Sequence, residues 1–515
     1  MLACLPNEIL SHILGNFCVH CRDPQETPWA LLPHITEEHP IDFKPSWYTL
    51  GRQVLYSMCL VSRQFRDVTQ AVLYHEFLPG FGELQPWDHW KRTDSFLRTV
   101  ALRPDLASLV RRVYLNPNIP GRMEARKAKA ALEEAARARN IPLAEFLKPY
   151  RDRCWPKNSY FTSFDEVVAM LLACLPNLAS LSFSEVLVEP IPLEAMRAAG
   201  VLTIPLRTLE IIAPRPTSNA ILHSILNMTS STLKTFQICL CEEGTLQVLA
   251  PRLENLRSIY VVECVLSSSD LASLLSRSPR LECFIYEAVP GAEHFLPCDA
   301  AEHLARNRAT LQTLHLDIRG EDYEPPENND GFRSSLLPNL STFPVLRHLL
   351  LNTLPLYTQT DDDSEPDTPT QDRTPLHQIL PPSIVSLRLV DYTSDAAILA
   401  ALTDDLLHLA QAVTTGAFPH LRKVRVDIER PLEGDGQLTE LLASANVDFE
   451  YYAWPVSRGK ASQRSLTPPV MDDDVSEDEA VEREEEEDGA ATEEGGETVD
   501  SSPVASDSEE ETYYG

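Results

Sequence analysis

One short pattern recurs along most of this chain and constrains its fold more than any other feature. Apolar-x-x-apolar-x-apolar occurs as Val110/Val113/Leu115, Leu178/Leu181/Phe183, Leu206/Leu209/Ile211, Leu233/Phe236/Ile238 and Leu256/Ile259/Val261. It recurs as Leu281/Phe284/Tyr286, Leu311/Leu314/Leu316, Leu346/Leu349/Leu351, Ile384/Leu387/Leu389 and Leu421/Val424/Val426. From the second unit on, the steps are about 20 to 40 residues, the range of stacked repeat architectures. Side chains alternate faces along a strand, so the last two apolar positions of each unit enter one core. No single unit can bury that face, so neighbours must stack. The pattern predicts an α/β chain in which short parallel strands alternate with helices.

The intervening segments supply the helices. Ser163 with Glu166 reads as a capping box before Val167, Val168, Leu171 and Leu172. Asn219 leads Ile221, Leu222, Ile225 and Leu226, and Ser269-Asp270 lead Leu271, Leu274 and Leu275. Asp395 leads Ile398, Leu399, Leu402, Leu406 and Leu407. Two insertions, near 116–160 and at 358–375, interrupt the array. Residues 122–140 are rich in Ala, Glu, Arg and Lys and predict a solvated helix. Residues 358–375 hold Asp361-Asp362-Asp363 among Thr and Pro, and read as a disordered loop without a calcium-loop Gly and distal Glu.

The N-terminal segment has a different character. Leu5, Ile9, Leu10, Ile13 and Leu14 follow helical spacing, with Pro6 at a first helical position. Residues 18–50 carry Pro24, Pro28, Pro33, Pro40 and Pro45 and read as a loop. Helical spacing resumes from Val54 to Val72. The succession Leu5-Pro6-Asn7-Glu8-Ile9-Leu10, Ile13-Leu14 and Leu60-Val61-Ser62-Arg63-Gln64-Phe65, closed by Val72-Leu73-Tyr74, resembles the F-box, and fungal members especially. It departs from that family by its long proline-rich insert. The repeat is similar to irregular leucine-rich repeats, with Cys241 and Cys264 at the ninth position of their units. The expected organisation is a helical F-box over 1–78, a leucine-rich-repeat solenoid over 95–454, and a disordered acidic tail over 455–515.

Charge narrows the function classes. Of 515 residues, 76 are acidic and 44 basic, a net charge of −32. Most of that excess sits in residues 471–515. Nucleic-acid binding is not expected, because phosphate contacts need Lys/Arg surfaces, nor is binding to anionic membranes. Ser476, Ser506 and Ser508 precede acidic residues and suit acidophilic kinases. The eleven cysteines are odd in number and mostly flanked by apolar residues, as expected of reduced thiols in a cytoplasmic or nuclear protein. No signal peptide or stretch of about 18 apolar residues is recognised.

No catalytic constellation emerges. Neither Gly-rich phosphate loops nor nucleophile-elbow or metalloprotease motifs occur, and the scattered histidines His75, His294, His303, His315 and His348 lack a nucleophile partner. Cys18-x-x-Cys21 with His34 and His39 has the spacing of a two-Cys two-His finger. Pro28 and Pro33 oppose the helix such a finger needs, and Gln25 replaces its packing aromatic, so neither metal nor cofactor is expected.

The F-box resemblance implies docking on a Skp-type adaptor and, through it, on a cullin ubiquitin ligase, with no bond chemistry of the chain's own. Leu5, Pro6, Ile9, Leu10, Ile13 and Leu14 would form one half of the adaptor-facing surface, and Leu60, Val61 and Phe65 the other. The alternative is a repeat scaffold that holds an adaptor without a ligase. An unknown protein substrate is expected on the strand face opposite the core, at Glu210, Gln237, Tyr260, His315, Arg388 and Arg425, with Glu287 and Asp317 just beyond.

Overall fold

The computed structural model describes residues 5–22, 47–79, 89–115, 125–151, 164–184, 193–212, 219–239, 241, 252–288, 297–317, 340–353, 356, 375–391, 396–428, 432 and 435–453. The chain divides into two units, residues 1–467 and 468–515, and all described residues belong to the first. The acidic segment 455–515, its three serines, and the Asp-rich segment 358–374 lie outside them.

The first unit is α/β. Twelve parallel strands form one sheet in chain order. They are β1 (Glu76–Phe77), β2 (Arg112–Leu115), β3 (Ser180–Ser184), β4 (Thr208–Ile212), β5 (Thr235–Cys239) and β6 (Ser258–Cys264). β7 (Cys283–Ala288), β8 (Thr313–Asp317), β9 (His348–Asn352), β10 (Ser386–Val390), β11 (Lys423–Ile428) and β12 (Asp448–Ala453) complete it. Each of the ten sequence units supplies one strand, β2 to β11, and β1 and β12 extend the sheet at either end.

Register aligns the apolar rows. Leu209, Phe236, Ile259, Phe284, Leu314, Leu349, Leu387 and Val424 stand side by side, as do Ile211, Ile238, Val261, Tyr286, Leu316, Leu351, Leu389 and Val426. All of them belong to one core cluster that runs from Phe96 to Val447. Crossover segments carry the helices that close this core. Tight turns end several of them: Val201 N–H bonds Met196 O at 2.8 Å and Ala417 N–H bonds Ala412 O at 3.0 Å, with left-handed Gly200 and Gly416 between. Asn140 and Asn446 adopt the same left-handed conformation after Ala125–Arg139 and Asp435–Ser444.

Cys241 and Cys264 stack from one layer to the next, the Cys241 N–H lying 3.3 Å from Cys264 Sγ. A β-bulge at Val262/Cys264, where Glu263 has φ 51°, turns Cys264 inward.

Several expectations change. The helix Ala125–Arg139 is not a solvated appendage: Ala128, Ala131, Leu132, Ala135 and Ala136 are buried in the main core. Its small Ala residues allow close approach to the helix His89–Leu102, and Glu134 pairs with Arg98 at 2.7 Å. The 19-residue helix Ala396–Thr414 is long and apolar enough to cross a bilayer, which apolar-run reading passed over because Asp404 and Asp405 interrupt it. It buries Leu402, Leu406 and Leu409 in the core, and Asp405 Oδ2 accepts from Leu376 N–H at 3.3 Å.

The stretch 18–50 is not all loop, since helices occupy Val19–Arg22 and begin again at Trp47. The helix Ser268–Ser276 is capped by Ser267, not Ser269: Ser267 Oγ accepts from Asp270 N–H at 3.2 Å, and Asp270 Oδ2 accepts from Ser267 N–H at 3.3 Å. Losing such a cap costs about 1 kcal/mol, or a roughly fivefold rise in opening. Ser267→Ala is therefore expected to speed amide exchange in the first turn of that helix about fivefold, with Ser269→Ala much weaker, read by hydrogen–deuterium exchange.

Candidate functional site

Two surfaces hold the residues expected to bind partners. The first is the N-terminal helical group: α1 (Asn7–Gly15), α2 (Val19–Arg22), α3 (Trp47–Cys59) and α4 (Arg63–Leu73). Pro6 precedes α1 as its N-cap, one residue earlier than first-turn placement, with Leu10 N–H bonded to Pro6 O at 3.1 Å. Residues four apart share a helix face, so α1 sorts its apolar residues into two stripes. Leu10 and Leu14 are buried, whereas Ile9 is 49% and Ile13 41% exposed. α3 ends through bonds from Leu60 N–H to Ser57 O and Val61 N–H to Met58 O. Ser62 then caps α4, its Oγ accepting from Phe65 N–H at 3.2 Å. This turn presents Leu60 at 72% and Val61 at 63% exposure and tucks Phe65 inside.

Beneath the surface, Leu14, Cys18, Leu55 and Val72 form a small core. Gln64 Nε2 ties α4 back to α1 by donating to Asn7 Oδ1 at 3.0 Å and Leu5 O at 3.3 Å. The nine residues thus divide. Pro6, Ile9, Ile13, Leu60 and Val61 are exposed, Leu5 is half-buried, and Leu10, Leu14 and Phe65 are interior. Of the eight large exposed apolar residues among the described ones, six lie in this group: Ile9, Ile13, Leu50, Tyr56, Leu60 and Val61. A cleft of about 770 Å³, lined by Arg52, Tyr56, Phe77, Arg92 and Phe96 among others, separates α3 from the helix His89–Leu102. Sequence spacing gave no sign of it, because its walls come from segments far apart in the chain.

The second surface is the sheet face opposite the main core. Register puts Ser182, Glu210, Gln237, Tyr260, Ile285, His315, Leu350, Arg388 and Arg425 in one row. Glu287 and Asp317 pair in the next row on the same face. The expected open surface is only partly there. Glu210, Gln237, Glu287 and Asp317 are buried, whereas Tyr260, His315, Arg388 and Arg425 are half-buried. Alternation tells which face a side chain takes but not what covers that face. At the early strands the cover includes a second apolar cluster, in which Tyr114, Ile212 and Cys239 join Val19 of α2, Tyr48 of α3 and Leu78.

Burial pushes Glu210 up to about 8, against the Ser182 hydroxyl and the Arg112 guanidinium, which pull it down. Ser182 Oγ donates to Glu210 Oε2 at 2.6 Å, and Glu210 Oε1 has no hydrogen-bond partner among the described residues. The same burial raises the Tyr114 phenol, and Glu210 adds to it. The late-strand basic residues are not a free positive patch. Arg388 pairs with Asp427, as does Arg425 at 2.5 Å, and Lys423 pairs with Glu450 at 2.7 Å.

His34 and His39 lie outside the described residues. Cys18 and Cys21 meet His20 and His75 instead, and these four side chains could hold a metal ion. No family model matches this chain, and no curated protein matches it.

The Glu210 environment carries a pH dependence. Its folded pKa lies above its ordinary value of 4.5, so the folded state holds the extra proton between about 4.5 and 8. The stabilising contribution is full below that window and is lost as pH rises through it. Against Glu210→Gln, which stays neutral, the wild type is expected to lose on the order of a few kcal/mol between about pH 5 and pH 8. Paired thermal midpoints across that range measure the difference, and parallel curves would refute it.

Proposed function

We propose that this chain is the substrate-recognition subunit of a Skp/cullin/F-box-type ubiquitin ligase. In this reading residues 1–78 are an F-box that docks on the adaptor, and the strands that follow are a leucine-rich-repeat solenoid that holds a protein substrate. The chain itself makes and breaks no bond; it raises the effective concentration of its substrate near the ubiquitin-loaded enzyme.

One observation carries the proposal. Ile9, Ile13, Leu60 and Val61 occupy the two motif segments that resemble the F-box and are all exposed, while their motif neighbours Leu10, Leu14 and Phe65 are interior. Exposed apolar side chains concentrated in one small unit mark an interaction surface. The chain-order parallel sheet supports the repeat reading, because each strand rests only on its predecessor and successor. On that sheet, Tyr260, His315, Arg388 and Arg425 are the half-buried members of the row on which a substrate would rest. The Arg388–Asp427–Arg425 grouping offers them a fixed, mixed-sign geometry.

Ile9→Asp combined with Leu60→Asp tests the adaptor surface without touching the interior. Removing two apolar anchors of an interface is expected to weaken adaptor binding by about 30-fold or more, with an unchanged circular dichroism melt. Undiminished adaptor binding by that variant would sink the F-box assignment. Cullin recovered with the wild type, and lost with the variant, separates a ligase subunit from a scaffold that only holds an adaptor.

A further inference from the structure

The geometry points to a structural zinc site formed by Cys18, His20, Cys21 and His75, which clamps α2 to the first edge of the sheet. The ligand atoms of these four side chains all lie within 4.8 Å of one another. Cys21 Sγ is 3.2 Å from His75 Nδ1 and 3.8 Å from His20 Nδ1. The two imidazole rings stand 5.2 Å apart at 67°. A tetrahedral zinc with bonds of about 2.0–2.3 Å places its ligand atoms about 3.3–3.8 Å from each other. The four groups are already near that arrangement, and side-chain rotations complete it. Two thiols and two imidazoles are a closed structural donor set, soft enough to favour zinc over magnesium or calcium.

The backbone on both sides of the cluster is held independently of any ion. Glu76, buried beside His75, accepts from Val19 N–H at 3.2 Å and His20 N–H at 2.9 Å. Its carboxylate also faces Arg52 at 3.9 Å. The His75 carbonyl accepts from Arg111 N–H at 2.8 Å and Arg112 N–H at 3.1 Å, so it is fixed to the start of β2. Gly15 gives the turn room, since a Cβ there would come within 3.3 Å of Cys21 Cβ. Cys18 is buried, His20 and His75 are half-buried, and Cys21 is exposed, so the cluster is open to solvent at Cys21. That is a route of entry for an ion.

Binding balances in charge and protons. The two thiols release one proton each, the two thiolates neutralise the dication, and the two imidazoles bind in their neutral form. The neutral product suits a site next to the buried Glu76 carboxylate. The cysteines are those whose spacing in the sequence matches a finger, but the histidines are different. One lies between the cysteines and the other enters from the far end of α4.

The test uses the full chain, purified under reducing conditions and incubated with equimolar zinc chloride before desalting. About one zinc per chain is expected by elemental mass spectrometry. Cys21→Ser and His75→Gln should each lower zinc affinity at least about tenfold, and His34→Ala with His39→Ala should leave it unchanged. Cobalt substituted for zinc should give the visible bands of a tetrahedral thiolate site, lost in Cys21→Ser. A readout free of variants is alkylation: zinc should protect Cys18 and Cys21 from iodoacetamide in the wild-type chain. The inference is overturned by retention of less than ~0.1 zinc per chain, which marks a hydrogen-bonded thiol–imidazole cluster only. A Cys18–Cys21 disulfide in the reduced preparation, or zinc lost with His34 and His39 but kept without His75, would overturn it equally.

Discussion

Burial of two apolar rows across a parallel sheet is the constraint on which the rest of this molecule depends. Each strand from β2 to β11 contributes one side chain to each of those two rows, too few to exclude water alone. Leu314 and Leu316 are buried because Phe284 and Tyr286 lie on one side and Leu349 and Leu351 on the other. The helices between strands, the left-handed turns that end them, and the Ser267 cap all serve to bring the chain back one layer further on. The same demand explains the Ala-rich helix Ala125–Arg139, which follows β2 in the chain and whose small buried face lets it lie close on the core.

The strand positions were legible because their apolar spacing repeats, and ten units led to ten strands. β1 and β12 were not, because an end strand has a neighbour on one side only and carries a shorter or more polar signal: Glu76-Phe77 and Asp448–Ala453. Which face each side chain takes was legible for Glu210 and Gln237, but their burial was not, since alternation contains no information about the cluster of Val19, Tyr48 and Tyr114 above them. Motif spacing singled out Ile9, Ile13, Leu60 and Val61 together with Leu10, Leu14 and Phe65. Separating the outward from the inward members required the turn at Ser62 and the seating of α1 on α4. His75 reaches Cys21 from 54 residues away, and no local pattern reports so distant a meeting.

Electrostatics inside the first unit run toward local neutrality even though the chain as a whole is strongly acidic. Asp427 is flanked by Arg388 and Arg425, Glu450 by Lys423, and Glu134 by Arg98. Glu210, with burial dominating its environment, instead favours its neutral form over much of the physiological range. Glu76 is stabilised by two backbone N–H groups and Arg52, a set of donors that lets a carboxylate sit where helices and sheet meet.

The strict chain order of the twelve strands has a mechanical consequence. In a sheet with crossed connections, tension on the ends loads many strand pairs at once. Here a pull on the C-terminal end loads the β11–β12 pair first, and parting it leaves the next pair to bear the load in turn. The sheet would yield like a row of clasps opened singly from the pulled end, with the β1–β2 pair the last to part.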